Sequence, residues 1–455
     1  MLLLSIILVG LGIAENLDAF ALFEYSLRRI LQISLIIIGF ALFFKLLILD
    51  LKSKNIITSA LYDINLIIIL SIIIWAIIRT LYLCDSNFEV CFQDKFYLNR
   101  LIHWSLIIPI MILIYYSSIK LPIIKVNLII SKITLVATIL AVFYIIDFIL
   151  VRYEFDVIHR NNIGTSGGVI YNRLYYYEFH RLMGGFREPS HAGAFMLIAL
   201  SLTYGDAEVF KKLILSTALM LTGSIIIFII YIGLIFFWLT NDIIKKNSNH
   251  IKLTIFSIFL GFLLANSLTF KYESIYTQGV TQESYVDKRL SLVNSEVKKC
   301  EILDDRIQSI KCIIENIPGR GYVFSYFLDA PINYLGVGLV LPYYELKDYI
   351  NSEHIIPSFL SSIVILYQFG IFLIVLILIV FFNTFIKLMN CVNNCIGVKL
   401  SSALFVIFFI LALLIEEPNF FMIAIISLSF GVAHCSKYDL FIFQNHKSTN
   451  MFGKN

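Results

Sequence analysis

Residues 64–78 read INLIIILSIIIWAII and residues 371–382 read IFLIVLILIVFF. Neither run keeps the polar seam that a core helix of a soluble protein turns towards water, so lipid has to solvate them. The rest of the chain agrees: of its 455 residues 59% are hydrophobic and 15% charged, and the mean hydropathy is +0.87. That composition excludes a soluble enzyme and predicts an all-α polytopic membrane protein embedded in a lipid bilayer. A formal net charge of +4 is too small to argue for a nucleic-acid partner. In such a chain the placement of charge says more than its sum.

At roughly 20 apolar residues per crossing, the hydropathy divides into about twelve spans. They begin near residues 1, 30, 60, 101, 126, 191, 209, 224, 251, 358, 399 and 419, with the sixth to eighth short and closely spaced. The first stretch lacks a basic n-region and reads as an uncleaved span. Lys52, Lys54, Lys120, Lys125, Lys211, Lys212, Lys245, Lys246, Lys387, Lys399, Lys437 and Lys447 share one side if both termini are cytoplasmic. Arg28 and Arg29, after the first span, run against that ladder. The chain then divides into helices over 1–151, an external loop over 152–190, central helices over 191–270, a large external loop over 271–356, C-terminal helices over 357–436 and a cytoplasmic tail over 437–455.

Arginine is distributed differently. Of the twelve, Arg152, Arg160, Arg173, Arg181 and Arg187 fall in the first external loop and Arg289, Arg306 and Arg320 in the second. Guanidinium suits bidentate capture of phosphate or carboxylate, so two Arg-rich outer loops point to an anionic ligand. Pairing with local acids such as Glu154, Asp156 and Glu178, or with lipid headgroups, is the plainer account of most of them. Cys84 and Cys91 share one external loop and Cys300 and Cys312 the other, while Cys391, Cys395 and Cys435 lie inside. An oxidising exterior and a reducing cytosol allow that division. No metal-ligand spacing, phosphate-binding Gly-rich loop or internal repeat is present.

The first external loop ends in RLMGGFREPSHAGAF, residues 181–195, which runs straight into an apolar helix. Pro189 stops any helix before it, and Ser190 is placed to cap the next, leaving free amides and a positive dipole end at the membrane surface. Arg181 and Arg187 flank Gly184 and Gly185, which permit close backbone approach. A pyrophosphate cradle and a hinge whose arginines reach lipid phosphate fit these residues equally well. Arg79 and Asp147 sit near the outer ends of their spans, where they snorkel or line a cavity. His159, His180 and His191 read as loop histidines, and the Tyr175–Tyr177 run as interfacial anchors or sugar-stacking rings.

RLMGGFREPSHAGA resembles the R-x2-G-x3-E-P-S segment of the Wzy-type O-antigen polymerases, which share a fold with the O-antigen ligases and belong with the GT-C glycosyltransferases. Arg173 and Gly184 fit the R-x10-G spacing of the periplasmic loops of these polymerases. Further on, DDRIQSIKCIIENIPGRGYVFSY (304–326) resembles the family's Arg-led helix followed by a Pro and a Gly-x-Gly turn. SEHIIPSFLSSIVILYQFGIFLIV (352–375) resembles its histidine-led re-entry into the membrane with a downstream Gly. LTGS at 221–224 resembles the short Ser-ended pair between them, without the Arg that often follows. The resemblance covers roughly residues 170–380; the first 150 residues match only as generic spans. Glu188-Pro189-Ser190 replaces the Asn-Pro-Asn favoured by ligases, and His354 has Glu before it and no Asn after it, which leans towards polymerase.

The resemblance implies a GT-C-like membrane glycosyltransferase of the bacterial inner membrane, working on its periplasmic face. Its substrate would be an undecaprenyl-pyrophosphate-linked oligosaccharide and its partner a chain-length regulator, with neither cofactor nor metal. Arg181 and Arg306 are then expected at the donor pyrophosphate and His354 at the reacting hydroxyl, oriented by Glu353 or Glu188. Arg173, Arg187, Arg320 and Tyr322 are expected to bind substrate. The chemistry is consistent: guanidinium groups stabilise the charge growing on the leaving oxygen, and an imidazole of near-neutral pKa takes the acceptor proton. The rivals are a ligase moving polymer to lipid A core and a transporter of the lipid-linked unit. Transporters tend to carry broken helices and mid-membrane ionisable groups in repeated halves; the gathering of ionisable residues in the external loops favours an enzyme.

Overall fold

The computed structural model describes residues 37, 41, 63–85, 95–119, 121–151, 165–166, 169–170, 189–206, 208–244, 248–276, 334–339, 341–342, 361–390, 394–414 and 418–434. Among them the helices are α1 (Ile64–Asp85), α2 (Lys95–Ile119), α3 (Ile123–Val151), α4 (Pro189–Ser201), α5 (Val209–Leu221), α6 (Ile225–Ile244), α7 (Ser248–Tyr276), α8 (Ser361–Met389), α9 (Asn394–Leu413) and α10 (Phe420–His434). They begin within a few residues of the third to twelfth starts read from hydropathy; the first two expected spans lie outside the described residues, apart from positions 37 and 41. A two-residue antiparallel ladder pairs β1 (Thr165–Ser166) with β2 (Val169–Ile170), joined in sequence by Gly167 and Gly168.

Six of these helices, α1, α2, α3, α6, α8 and α9, are long and apolar enough to cross a membrane. The surface pattern is the inverse of a soluble protein's. On α8, Phe372, Val375, Ile379, Phe382 and Ile386 are exposed at alternating three- and four-residue steps, one continuous apolar stripe along the helix. Ile225, Phe228, Ile229, Ile232 and Phe236 are likewise exposed along one face of α6, and Phe256, Phe259 and Leu263 along one face of α7. Apolar faces of this extent are stable only against lipid or another protein. The chain is therefore an α-helical, membrane-embedded protein.

The 13-residue α4 and α5 are each about 20 Å long, short of a hydrocarbon core of about 30 Å. From Ala192 to Leu202 every residue of α4 and the turn after it is buried. A helix that is apolar all round belongs inside protein, and α4 packs on α3, α5, α6 and α9. Its partner α5 runs back alongside and packs on α3 and α7. The upper end of the bundle is taken here as the end where α4, α6 and α8 begin and α1 and α5 finish.

At the lower end the chain buries charge. Lys399 of α9, 2% exposed, donates to Asp206 (2.6 Å) and to Asn127 of α3 (3.1 Å). Lys212 of α5 is 1% exposed, within the field of Asp206 and Asp242. Asp242 of α6 accepts from the Tyr204 hydroxyl, to which Asn241 also donates. Burial and the adjacent Asp242 push the Tyr204 phenol up. These lysines sit on the side read as cytoplasmic, but they point inward. The expectation that ionisable residues gather in the external loops is corrected: neutral groups of paired charges also occupy the bundle interior, since the short α4 and α5 carry their polar ends into it.

A second polar cluster ties α1 to the ends of α2, α8 and α10. Asp63, just before α1, accepts from Tyr115 (2.8 Å) and from the Asn65 amide (3.0 Å), and lies 3.5 Å from His434. Asn65 in turn reaches Thr384 (3.4 Å) and Asn383 (3.0 Å). Burial alone raises the Asp63 carboxyl, but the hydrogen bonds from His434, Tyr115 and Asn65 outweigh it and hold the carboxyl below its ordinary range. A lowered folded-state value contributes stability that is fully present above the unfolded carboxyl's value of about 3.9 and is lost as pH falls through the folded one. Asp63→Asn is therefore expected to lower the unfolding midpoint in detergent at pH 7, with the gap to wild type closing below about pH 4. Equal gaps at pH 7 and pH 3 would contradict the assignment.

Candidate active site

All nine residues expected from the sequence to carry the chemistry, Arg173, Arg181, Arg187, Glu188, Arg306, Arg320, Tyr322, Glu353 and His354, lie outside the described residues. So do the cysteine pairs expected in the external loops, apart from the backbone of Cys84. Cys395, expected to be reduced, is a free thiol at the lower end, 3.7 Å from the Tyr204 carbonyl. Two described elements follow some of the nine in sequence: Pro189 comes directly after Glu188, and α8 begins at Ser361, downstream of His354.

Helix α4 starts at Pro189, two residues earlier than a Ser190 cap requires. Proline suits a first helical position because its ring fixes φ and its missing N–H has no partner there. Ser190, 8% exposed, is thus inside the first turn with the half-buried His191, which is helical and not a loop residue. The free amides and positive dipole end expected here remain, displaced by two residues.

The LTGS turn packs against this helix start. Helix α5 ends at Leu221; Thr222 donates its hydroxyl to Leu219 (2.7 Å), Gly223 takes φ 58°, and α6 opens with Phe228 N–H bonded to Ser224 O (2.9 Å). A Cβ at Gly193 of α4 would lie 3.1 Å from the Thr222 hydroxyl and 3.0 Å from Ile227, so glycine there sets the close approach. The start of α4, Pro189–Gly193, and the LTGS turn are neighbours at the upper end. Beside them a hollow of about 200 Å³, lined by Leu219, Met220, Gly223, Ser224, Ile225 and Phe228, opens at the bundle surface.

A chain of rings connects this corner to the rest of the upper end. Phe195 of α4 meets Phe421 of α10 at 5.3 Å, His103 of α2 meets Phe420 at 5.0 Å and bonds to the Pro418 carbonyl (3.1 Å), and Trp104 meets Phe369 of α8 at 5.4 Å. Next to Phe369 the helix breaks: Gly370 has φ 77° and ψ 162°. The glycine noted downstream of the histidine in the sequence is required for this conformation, which side chains with a Cβ rarely adopt.

Three further ionisable groups stand at the upper end. Asp147 of α3 is 1% exposed, so it does not snorkel; it belongs to the bundle interior. Arg79 of α1 is half-buried with its guanidinium 5.9 Å from the Tyr82 ring centroid. Arg100 of α2, 9% exposed, escaped the sequence reading. Its signal was a lone arginine at the start of an apolar run, which looks the same whether it anchors at the interface or folds inward.

Neither a protein-family model nor a curated protein matches the chain.

Proposed function

We propose that the protein is a membrane glycosyltransferase of the O-antigen polymerase type, about twelve-spanning and GT-C-like, set in a bacterial inner membrane with both termini cytoplasmic. It transfers the growing polysaccharide from undecaprenyl pyrophosphate to the next lipid-linked repeat unit on the periplasmic side, with a chain-length regulator as partner. The observation that carries this reading is the meeting of the α4 start with the LTGS turn, Gly193 against Thr222, at the end of the bundle where the Gly370 break also lies. The α4 start, which follows the Arg-bearing stretch in sequence, and the Gly370 break, which follows the His-bearing one, thereby share one end of the molecule. A helix start directly preceded in sequence by an Arg-rich segment is suited to a diphosphate.

In the proposed reaction the acceptor sugar's hydroxyl oxygen bonds to the donor's anomeric carbon as that carbon's bond to the diphosphate oxygen breaks. The electron pair leaves with undecaprenyl pyrophosphate, and the hydroxyl proton passes to His354. Arg181 and Arg306 stabilise the departing diphosphate, and Glu353 or Glu188 orients the imidazole. His354→Ala is expected to lower kcat by about 10²- to 10⁴-fold while KM for the donor stays near wild type, read in steady-state assays. Equal losses in both would make His354 a binding group.

A second reading, a transporter of the lipid-linked unit, draws on the buried Lys399–Asp206 pair and the broken α8. The surface polysaccharide of a deletion strain separates the readings. Single-unit caps on the lipopolysaccharide support the polymerase; bare core with carrier-linked polymer indicates a ligase, and unflipped precursor a transporter.

A further inference from the structure

The span Ile64–Tyr82 of α1 has 19 residues, about 28 Å of helix, close to the thickness of a hydrocarbon core. Ile67, Ser71, Ile74, Ile78 and Leu81 are exposed along it at alternating four- and three-residue steps, the face that α1 turns to lipid. Arg79 stands at the edge of that face, three residues short of the upper end of the span. Trp75 and Tyr82, one helical turn before and after it, are exposed, whereas Ala76 and Thr80 on its other side are buried. Trp and Tyr gather at the headgroup level of a bilayer, so this turn of α1 lies where hydrocarbon gives way to phosphate.

A strap made by residues 334–339 holds this corner in place. It packs into the Gly370 break so closely that a Cβ at Gly336 would lie 2.2 Å from Gln368 O, and one at Gly370 2.3 Å from Gly336 N. Val337 N–H donates to Tyr367 O (2.9 Å) and Phe372 N–H to Tyr334 O (3.1 Å). On the α1 side the Thr80 hydroxyl accepts the Leu339 N–H (2.7 Å), and the Trp75 indole N–H donates to Leu335 O (3.1 Å). The Trp75 ring is thus fixed by a hydrogen bond while its face stays open to lipid, and the exposed Tyr334 precedes Leu335 in the strap.

What the corner lacks is a counter-charge. Lys399 pairs with Asp206 and Lys211 with Glu208, but among the described residues no carboxylate pairs with Arg79. Its guanidinium sits 5.9 Å from the Tyr82 ring centroid, and its Nε is buried with no hydrogen-bond partner among those residues. A ring face offsets part of the cost of a cation in hydrocarbon and leaves the planar N–H fork open to a bidentate anion. We propose that Arg79, between Trp75 and Tyr82, is a binding site for the phosphate of a glycerophospholipid in the leaflet at the upper end of the bundle. The phosphate accepts from the guanidinium, and the acyl chains run down the exposed stripe of α1. Charge and position together choose that occupant: a free anion gains nothing from the apolar stripe, and a lipid without phosphate gains nothing from the guanidinium. The site is separate from the proposed sugar transfer and does not depend on it.

The test takes the full-length protein, delipidated in detergent, and counts bound lipid by native mass spectrometry as phosphatidylglycerol is titrated in. Arg79→Gln removes the charge, Arg79→Lys keeps it without the fork, and Lys252→Gln removes an exposed charge at the start of α7, at the opposite end of the bundle. Arg79→Gln is expected to weaken the tightest-bound lipid about ten- to a hundredfold, the loss of a charge-assisted hydrogen bond. Arg79→Lys should recover part of that loss, and Lys252→Gln should bind as wild type does. Neither diacylglycerol, which has the same chains without phosphate, nor an excess of inorganic phosphate should displace the lipid. Wild-type binding in Arg79→Gln, an equal loss in Lys252→Gln, or displacement by diacylglycerol overturns the proposal. Displacement by inorganic phosphate makes this a free-anion site and overturns it as well. Should Arg79→Gln not accumulate, Arg79→Lys decides: a tightest lipid weakened by about threefold or more upholds the bidentate contact, and unchanged binding overturns it.

Discussion

Alanine at Arg306 or at Arg181 is expected to leave the protein at its normal level in the membrane while the lipopolysaccharide ladder collapses to single-repeat caps. The proposed transfer puts negative charge on a leaving diphosphate, and a guanidinium already in place stabilises that charge more in the transition state than in the ground state. Losing one such donor in a water-poor site costs about 10²- to 10³-fold in rate. Elongation slowed that far no longer competes with capping of the core by single units. Lysine at either position keeps the charge but not the planar fork, so partial ladders are expected there. Gel profiles of a deletion strain carrying each variant, with immunoblots for protein level, read the result. Normal ladders in both alanine variants would remove the diphosphate argument.

The second large effect concerns stability. Lys399→Ala should lower the unfolding free energy in detergent by about 3 kcal/mol, because it strands the Asp206 carboxylate in the bundle with Lys212 as its remaining cation. Asp206→Ala should cost as much or more, since it leaves two buried lysines, Lys212 and Lys399, and one fewer acid between them. A joint replacement by apolar residues of similar size, Lys399→Met with Asp206→Leu, should recover much of the loss, as replaced buried pairs commonly do. Chemical unfolding of the purified variants gives the values and the coupling between them. Single variants as stable as wild type would mean that the pair contributes nothing to the fold.

The helices were legible because long apolar runs are separated by short polar ones, and the starts near 209, 224 and 251 reappear at Val209, Ile225 and Ser248. What the sequence concealed is direction. Lys212 and Lys399 read as topological lysines, and their burial depends on the short α4 and α5 bringing Asp206 between them, a fact of tertiary packing with no periodic trace. Asp147 looked like a snorkelling acid for the same reason: position along a span does not say which way a side chain turns. The knot of Gly336 and Gly370 pairs backbone across 34 residues of chain, and only Gly370 carried a hint. Of the proposed site, the helix start after Glu188 and its neighbour LTGS are framed by the structure; the arginines and His354 stand outside the described residues.

The central claim is that this chain joins sugars at the expense of a polyprenyl diphosphate bond. Lipid-linked repeat units extracted from a deletion strain, incubated with the purified protein in proteoliposomes, test it most directly. The account predicts carrier-linked glycans of two and more repeats, with one undecaprenyl pyrophosphate released for every bond formed. Repeat units that stay single and carrier-bound, or that only change leaflet, would contradict it.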